Sequence, residues 1–198
     1  MTDDAHDVPP PRFFPVFLIV AATIGWFAAF TLVVEKIEVL ENPGTALGCD
    51  FSVLVQCGKN LGSWQGAVFG FPNPILGVAA FVAPVAVGVA MLAGARFARW
   101  FWIAFHVGVV AGMSFVVWLI YQSIFSLGTL CPYCMLVWTV MIPLFWAVTA
   151  YVLAEGHYSV GAVGFGVELR GWVIPLTLIT YALVVLLAQL QLNALFRL

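Results

Sequence analysis

The sequence predicts an all-α integral membrane protein, a helical bundle with five transmembrane helices. Three observations carry that expectation. The chain is 64% hydrophobic. Its 198 residues hold only seven Lys plus Arg and nine Asp plus Glu, too few to coat a water-soluble surface. The charges are also segregated, leaving charge-free stretches at residues 13–34, 60–95, 100–154 and 171–196. About 20 apolar residues cross a hydrocarbon core, so the third stretch requires two crossings. Residues 13–198 read as a single transmembrane domain behind a short Asp- and Pro-rich tail at 1–12.

The first helix is expected near residues 14–34. Its uncharged run exceeds a signal-peptide core, and the residues ahead of it are acidic apart from Arg12, so the sequence predicts that it is retained. Residues 35–72 then form a loop with an interfacial segment. Within it, Gly58-Lys-Asn-Leu-Gly-Ser-Trp-Gln-Gly-Ala-Val-Phe-Gly70 mixes glycine, polar and aromatic residues, which suits a cover lying at the membrane surface. Ser63 and Trp64 are candidates to line that cover.

The second helix, near 73–94, opens at Phe71-Pro-Asn-Pro74. Asn73 is placed to cap it, with Pro74 in the first helical position. The same amide can also donate a hydrogen bond to a ligand held at that end of the helix. The third helix, near 99–120, follows the Arg96-Phe-Ala-Arg99 turn. His106 near its middle needs an internal partner, in a packing role or a chemical one. Gly108 and Gly112 on that helix read as a close-packing surface. Polar residues and a glycine at Tyr121-Gln-Ser-Ile-Phe-Ser-Leu-Gly128 break the apolar run. The fourth and fifth helices are expected near 130–152 and 171–192.

With the amino terminus inside, Arg12, Arg96, Arg99 and Arg170 fall inside, and Lys36, Lys59 and Arg197 outside. This orientation places residues 35–72 and the 121–129 turn on the outer side. Both cysteine pairs, Cys49 with Cys57 and Cys131-Pro-Tyr-Cys134, then share an oxidising face.

Pro132 suits the first helical position, which makes Cys131 the expected N-cap of the fourth helix and sets Cys134 on the adjoining surface. Free N–H groups and the positive end of the helix favour a thiolate at Cys131. Such a pair reads as redox-active, with a structural disulfide or half of a zinc site as alternatives. The seven residues between Cys49 and Cys57 do not match the compact spacing of zinc knuckles, so no metal is expected. Taken alone, Cys49 and Cys57 read equally as a loop staple or a mobile redox pair. Beside the second pair they form a relay through mixed disulfides.

Cys49-Asp50, Cys57-Gly58, Ser63, Phe69-Gly-Phe-Pro-Asn-Pro74 and Cys131-Pro-Tyr-Cys-Met-Leu-Val-Trp138 together resemble the bacterial vitamin K epoxide reductase homologues, over roughly residues 13–192. The resemblance implies a four-helix redox bundle around a quinone, with an additional fifth helix, in a bacterial inner or plasma membrane. It also implies reoxidation of a thioredoxin-fold protein that installs disulfides. On this resemblance Cys49 and Cys57 are the loop shuttle, Cys131 exchanges with it, and Cys134 delivers electrons to quinone. Many relatives carry a fused thioredoxin-like domain, whereas this chain stops at Leu198, so a separate partner is expected.

Trp138 stands where vertebrate relatives have tyrosine. An indole donates but cannot accept a hydrogen bond, which favours quinone over vitamin K epoxide as substrate. Menaquinone and ubiquinone are not distinguished, and spacing leaves open which loop cysteine meets the partner. The expected activity is that of a membrane thiol:quinone oxidoreductase, with Ser63, Asn73 and Trp138 as candidate quinone-binding residues and no nucleic-acid partner. The alternatives are a transmembrane thiol reductant exporter, which needs cysteines accessible from both sides, and a non-enzymatic scaffold stapled by disulfides.

Overall fold

The computed structural model describes residues 12–192. The tail before Arg12, with His6, and Arg197 and Leu198 lie outside the described residues. Along the chain run α1 (Phe13–Glu41), the short α2 (Gly58–Gly62), α3 (Asn73–Leu92), α4 (Arg99–Tyr121), α5 (Pro132–Ala154) and α6 (Val163–Leu192). All but α2 are long and apolar enough to cross a membrane. The protein is an all-α membrane protein, as its composition predicts.

Two helices outrun their apolar stretches. α1 continues past Val34 through Glu35, Lys36, Glu38 and Glu41, because a helix need not stop where the hydrocarbon does. Lys36 Nζ, on this extension, donates to the carbonyl of Leu61 in α2 at 2.8 Å. α6 begins at Val163 rather than near 171 and absorbs Glu168 and Arg170. Arg170 pairs with Glu155, just beyond α5, at 2.5 Å. The expected break after α4 is not a loop. Gln122–Leu127 continues as a π-helical segment and ends at Gly128, whose left-handed backbone (φ +66°) suits glycine.

α5 is the most buried span and packs against α1, α4 and α6, while α3 lies along α1. α6 is the least buried span and rests mainly on α5, outside the group formed by α1, α3, α4 and α5. The four-helix bundle with an added fifth helix is therefore present. Small residues draw α1 and α3 together. A Cβ at Gly25 would lie 2.5 Å from the Phe81 ring, and one at Gly88 would lie 2.7 Å from the Pro15 carbonyl.

At the end of the bundle away from the cysteines, Arg99 donates to the carbonyls of His157 and Tyr158. His106 lies between the Tyr158 hydroxyl (2.9 Å) and Thr149 Oγ1 (3.0 Å). Thr149 spends its proton on the Phe145 carbonyl, so it accepts from Nε2–H, and Tyr158 donates to Nδ1. His106 therefore has the internal partners that a ring at that depth requires.

Candidate functional site

The site is built where the first long loop meets the start of α5. Pro132 occupies the first turn, and Cys131 caps the helix with extended backbone, its sulfur accepting from the Cys134 N–H at 3.4 Å. The residue before it, Leu130, pairs with the loop. Its N–H donates to the Leu54 carbonyl (2.8 Å) and its carbonyl accepts from Gln56 N–H (3.0 Å). This short parallel bridge draws the loop cysteines onto the helix end. Cys49 and Cys57 are joined in a disulfide, and the Cys57 sulfur lies 3.3 Å from that of Cys131.

Asp50 fixes this arrangement. Its carboxylate accepts from the backbone N–H groups of Cys57 (2.7 Å), Gly58 (3.1 Å) and Leu47 (3.3 Å). A carboxylate at the start of α2 satisfies donors that have no helical partner. Leu32, Leu47 and Leu61 pack with Cys49, Cys57 and Cys131, and all three cysteines are buried. Cys131 and Cys134 are free thiols. The hydrogen bond from the Cys134 side chain lowers the Cys131 pKa below the ordinary thiol value, with help from the Cys134 and Tyr133 backbone, against burial and the Asp50 carboxylate.

Below these sulfurs a cavity of about 590 Å³ lies among α1, α3, α4 and α5. Its walls are apolar, with polar side chains and the Cys134 sulfur among the lining. Typical small-ligand sites span roughly 300–1,000 Å³ with few polar groups, and this cavity matches them in size and lining. The expected role of Gly108 and Gly112 as a helix-packing surface is corrected here, because both line the cavity. A Cβ at Gly108 would meet nothing within 4 Å, and one at Gly112 would meet only the tip of Met141. The missing side chains leave room for a ligand.

The loop roofs the cavity through a hydrogen-bonded latch. Asn60 accepts from the Ser123 hydroxyl and donates to Thr129 Oγ1, each at 3.1 Å. Lys59 Nζ donates to the Leu127 carbonyl at 2.6 Å, and Gln65 Nε2 to Ser126 Oγ at 3.2 Å. The π-helical segment thus supplies most of the latch.

Ser63, Asn73 and Trp138 all line this cavity with Cys134. Ser63 caps the short turn Trp64–Ala67, donating to the Asn60 carbonyl and accepting from Gly66 N–H. Asn73 is not the N-cap of α3. That position falls to Pro72, and the buried Asn73 amide accepts from Val68 N–H (3.1 Å) and donates to the Gln65 carbonyl (2.6 Å). Backbone groups of the roof need partners, and Asn73 provides them. Trp64 is mostly exposed and packs against Trp118. Sequence reasoning did not single out Gln122, which also lines the cavity. Its signal was a lone amide immediately after an apolar span.

A family model described as the vitamin K epoxide reductase family matches residues 16–149, a region that holds all four cysteines and stops short of α6. A search of curated proteins returns no match. The family match takes in more than half of the chain and the whole cysteine site, and the chain belongs to the vitamin K epoxide reductase family, whose members are membrane thiol oxidoreductases that use quinone.

Proposed function

We propose that this protein takes electrons from a separate thioredoxin-fold protein outside the cytoplasm and delivers them to a membrane quinone, so that its partner is returned to the disulfide form. Residues 13–198 act as one redox domain, with 35–72 on the outer side of a bacterial inner or plasma membrane. The observation that carries this reading is the 3.3 Å approach of Cys57 and Cys131 sulfurs above a cavity that Cys134 lines. The gathering of all four cysteines at one end of the bundle supports it over an exporter, which needs redox access from both sides.

In this cycle the partner's thiolate attacks Cys49, forming a mixed disulfide and releasing Cys57 as a thiolate. The partner's second thiol then resolves the mixed bond, leaving the partner oxidised and the loop pair reduced. Cys57 attacks Cys131 of an inner Cys131–Cys134 disulfide, and Cys134 leaves as a thiolate. Cys49 attacks Cys57, the outer disulfide re-forms, and Cys131 is released. An outer disulfide beside two inner thiols, the state described above, is the product of this step. Quinone, when bound, supplies the acceptor for two electrons and two protons. Cys131 and Cys134 give these up as their disulfide closes. Because Cys49 is buried, the partner reaches it only when the surrounding loop moves.

The test is quinol formation driven by a reduced thioredoxin-fold protein. Cys134→Ser is expected to reduce it to background, since serine cannot form the inner disulfide. Wild-type turnover by that variant would remove Cys134 from the pathway.

A further inference from the structure

We propose that Gln122 is a quinone-binding residue whose side-chain N–H donates to a carbonyl oxygen of the ring. This rests on the quinone-reducing reading above and adds a contact from the π-helical segment after α4 to those expected from α3 and α5. The argument is an account of donors. A quinone ring offers carbonyl acceptors and no donor, so a complementary cavity must present N–H, O–H or S–H groups.

Most polar side chains around this cavity are already committed. Asn60, Ser63, Gln65 and Ser123 are spent on the latch and the turn beneath it. Asn73 has given one N–H to the Gln65 carbonyl. Gln122 differs. It lines the cavity, yet among the described residues its side-chain amide makes no hydrogen bond. Gln122 is half-buried and its amide is not sealed off, so an acceptor that enters the cavity can pair with it without displacing an existing protein hydrogen bond.

The backbone explains how the residue gets there. Gln122 opens the π-helical segment, whose wider turn changes the direction of successive side chains relative to α4. Its neighbour Ser123 holds the roof through Asn60, so the same turn that latches the cover also places Gln122 in the lining of the cavity. Trp138 lines the cavity from α5 with an indole N–H that can only donate. The two residues therefore offer donors from two different helices, as a ring with two carbonyl groups requires.

The experiment uses the full chain in detergent or nanodiscs with menadione and a short-chain ubiquinone as probes. Binding is read by quenching of tryptophan fluorescence, and the bound carbonyls by infrared difference spectroscopy. Gln122→Met keeps the length and removes the donor. It is expected to weaken binding roughly two- to tenfold, the worth of one hydrogen bond, and to raise the stretching frequency of one carbonyl. Gln122→Glu adds a signature that packing cannot produce. Its carboxyl donates when protonated and cannot when ionised, so affinity should rise as pH falls through its titration, whereas the wild type shows no such dependence on this side chain. Equal affinity and unchanged carbonyl frequency in Gln122→Met, with no pH dependence in Gln122→Glu, overturn the assignment while leaving the quinone reading intact. Failure of the wild type to bind either quinone overturns both.

Discussion

The Cys131 sulfur lies 3.3 Å from that of Cys57, and Cys57 is bonded to Cys49, so three sulfurs form a continuous chain at the head of α5. The order is asymmetric. Cys57 is the loop cysteine that faces the inner pair, which leaves Cys49 for the partner in the proposed cycle.

That asymmetry predicts different trapped species in two variants. In Cys49→Ser, Cys57 has lost its usual partner and is expected to accumulate a disulfide with Cys131, formed by attack on the inner disulfide as Cys134 leaves as a thiolate. In Cys57→Ser, a Cys49–Cys131 bond should be scarce. Peptide mapping by mass spectrometry under non-reducing conditions reads both. Equal yields of the two crosslinks would show that the loop cysteines are interchangeable.

Cys131 is expected to ionise below the ordinary thiol range, chiefly because the Cys134 side chain donates to it. A lowered pKa keeps the nucleophilic thiolate populated to more acid pH. Cys134→Ala removes the largest cause and leaves burial and the Asp50 carboxylate acting in the opposite direction, so the Cys131 titration should move up. Thiolate ultraviolet absorbance, followed with the Cys49–Cys57 bond intact, measures the shift. An unchanged titration in the variant would show that the backbone alone sets the acidity.

Gly25 tests the seam between α1 and α3. A Cβ there would lie 2.5 Å from the Phe81 ring, closer than packing allows. Gly25→Ala is expected to destabilise the bundle by about 1–3 kcal/mol through overpacking. Thermal unfolding in detergent checks this. The double variant with Phe81→Leu should lose less than the sum of the two single changes, because removing the ring relieves the clash.

Much of the fold is legible locally. Charge-free runs identify the spans, since a polar side chain in hydrocarbon is expensive wherever it occurs in the chain. The helix ends are less legible. α1 and α6 continue beyond their apolar runs because the charged residues there find partners elsewhere, Lys36 on Leu61 and Arg170 on Glu155. The cap at Cys131 was readable because Pro132 follows it. The supposed cap at Asn73 was not, because its amide serves backbone groups five and eight residues earlier.

The sequence by itself determined the solvent of this protein, the number of its spans, its two cysteine pairs and its family pattern, all of which are properties of composition and short spacing. The tertiary structure decided which cysteine touches which, that Gly108 and Gly112 line a cavity, and that the Gln122 side-chain amide has no hydrogen-bond partner among the described residues. These depend on where distant segments are held. The Leu54–Leu130 pairing, the Asp50 carboxylate and the latch on the π-helical turn hold the loop against the bundle. Each joins residues that spacing along the chain does not relate. Sulfur exchange and hydrogen bonding act over a few ångströms, so the order of the relay and the donors facing the cavity are set only once those segments are packed.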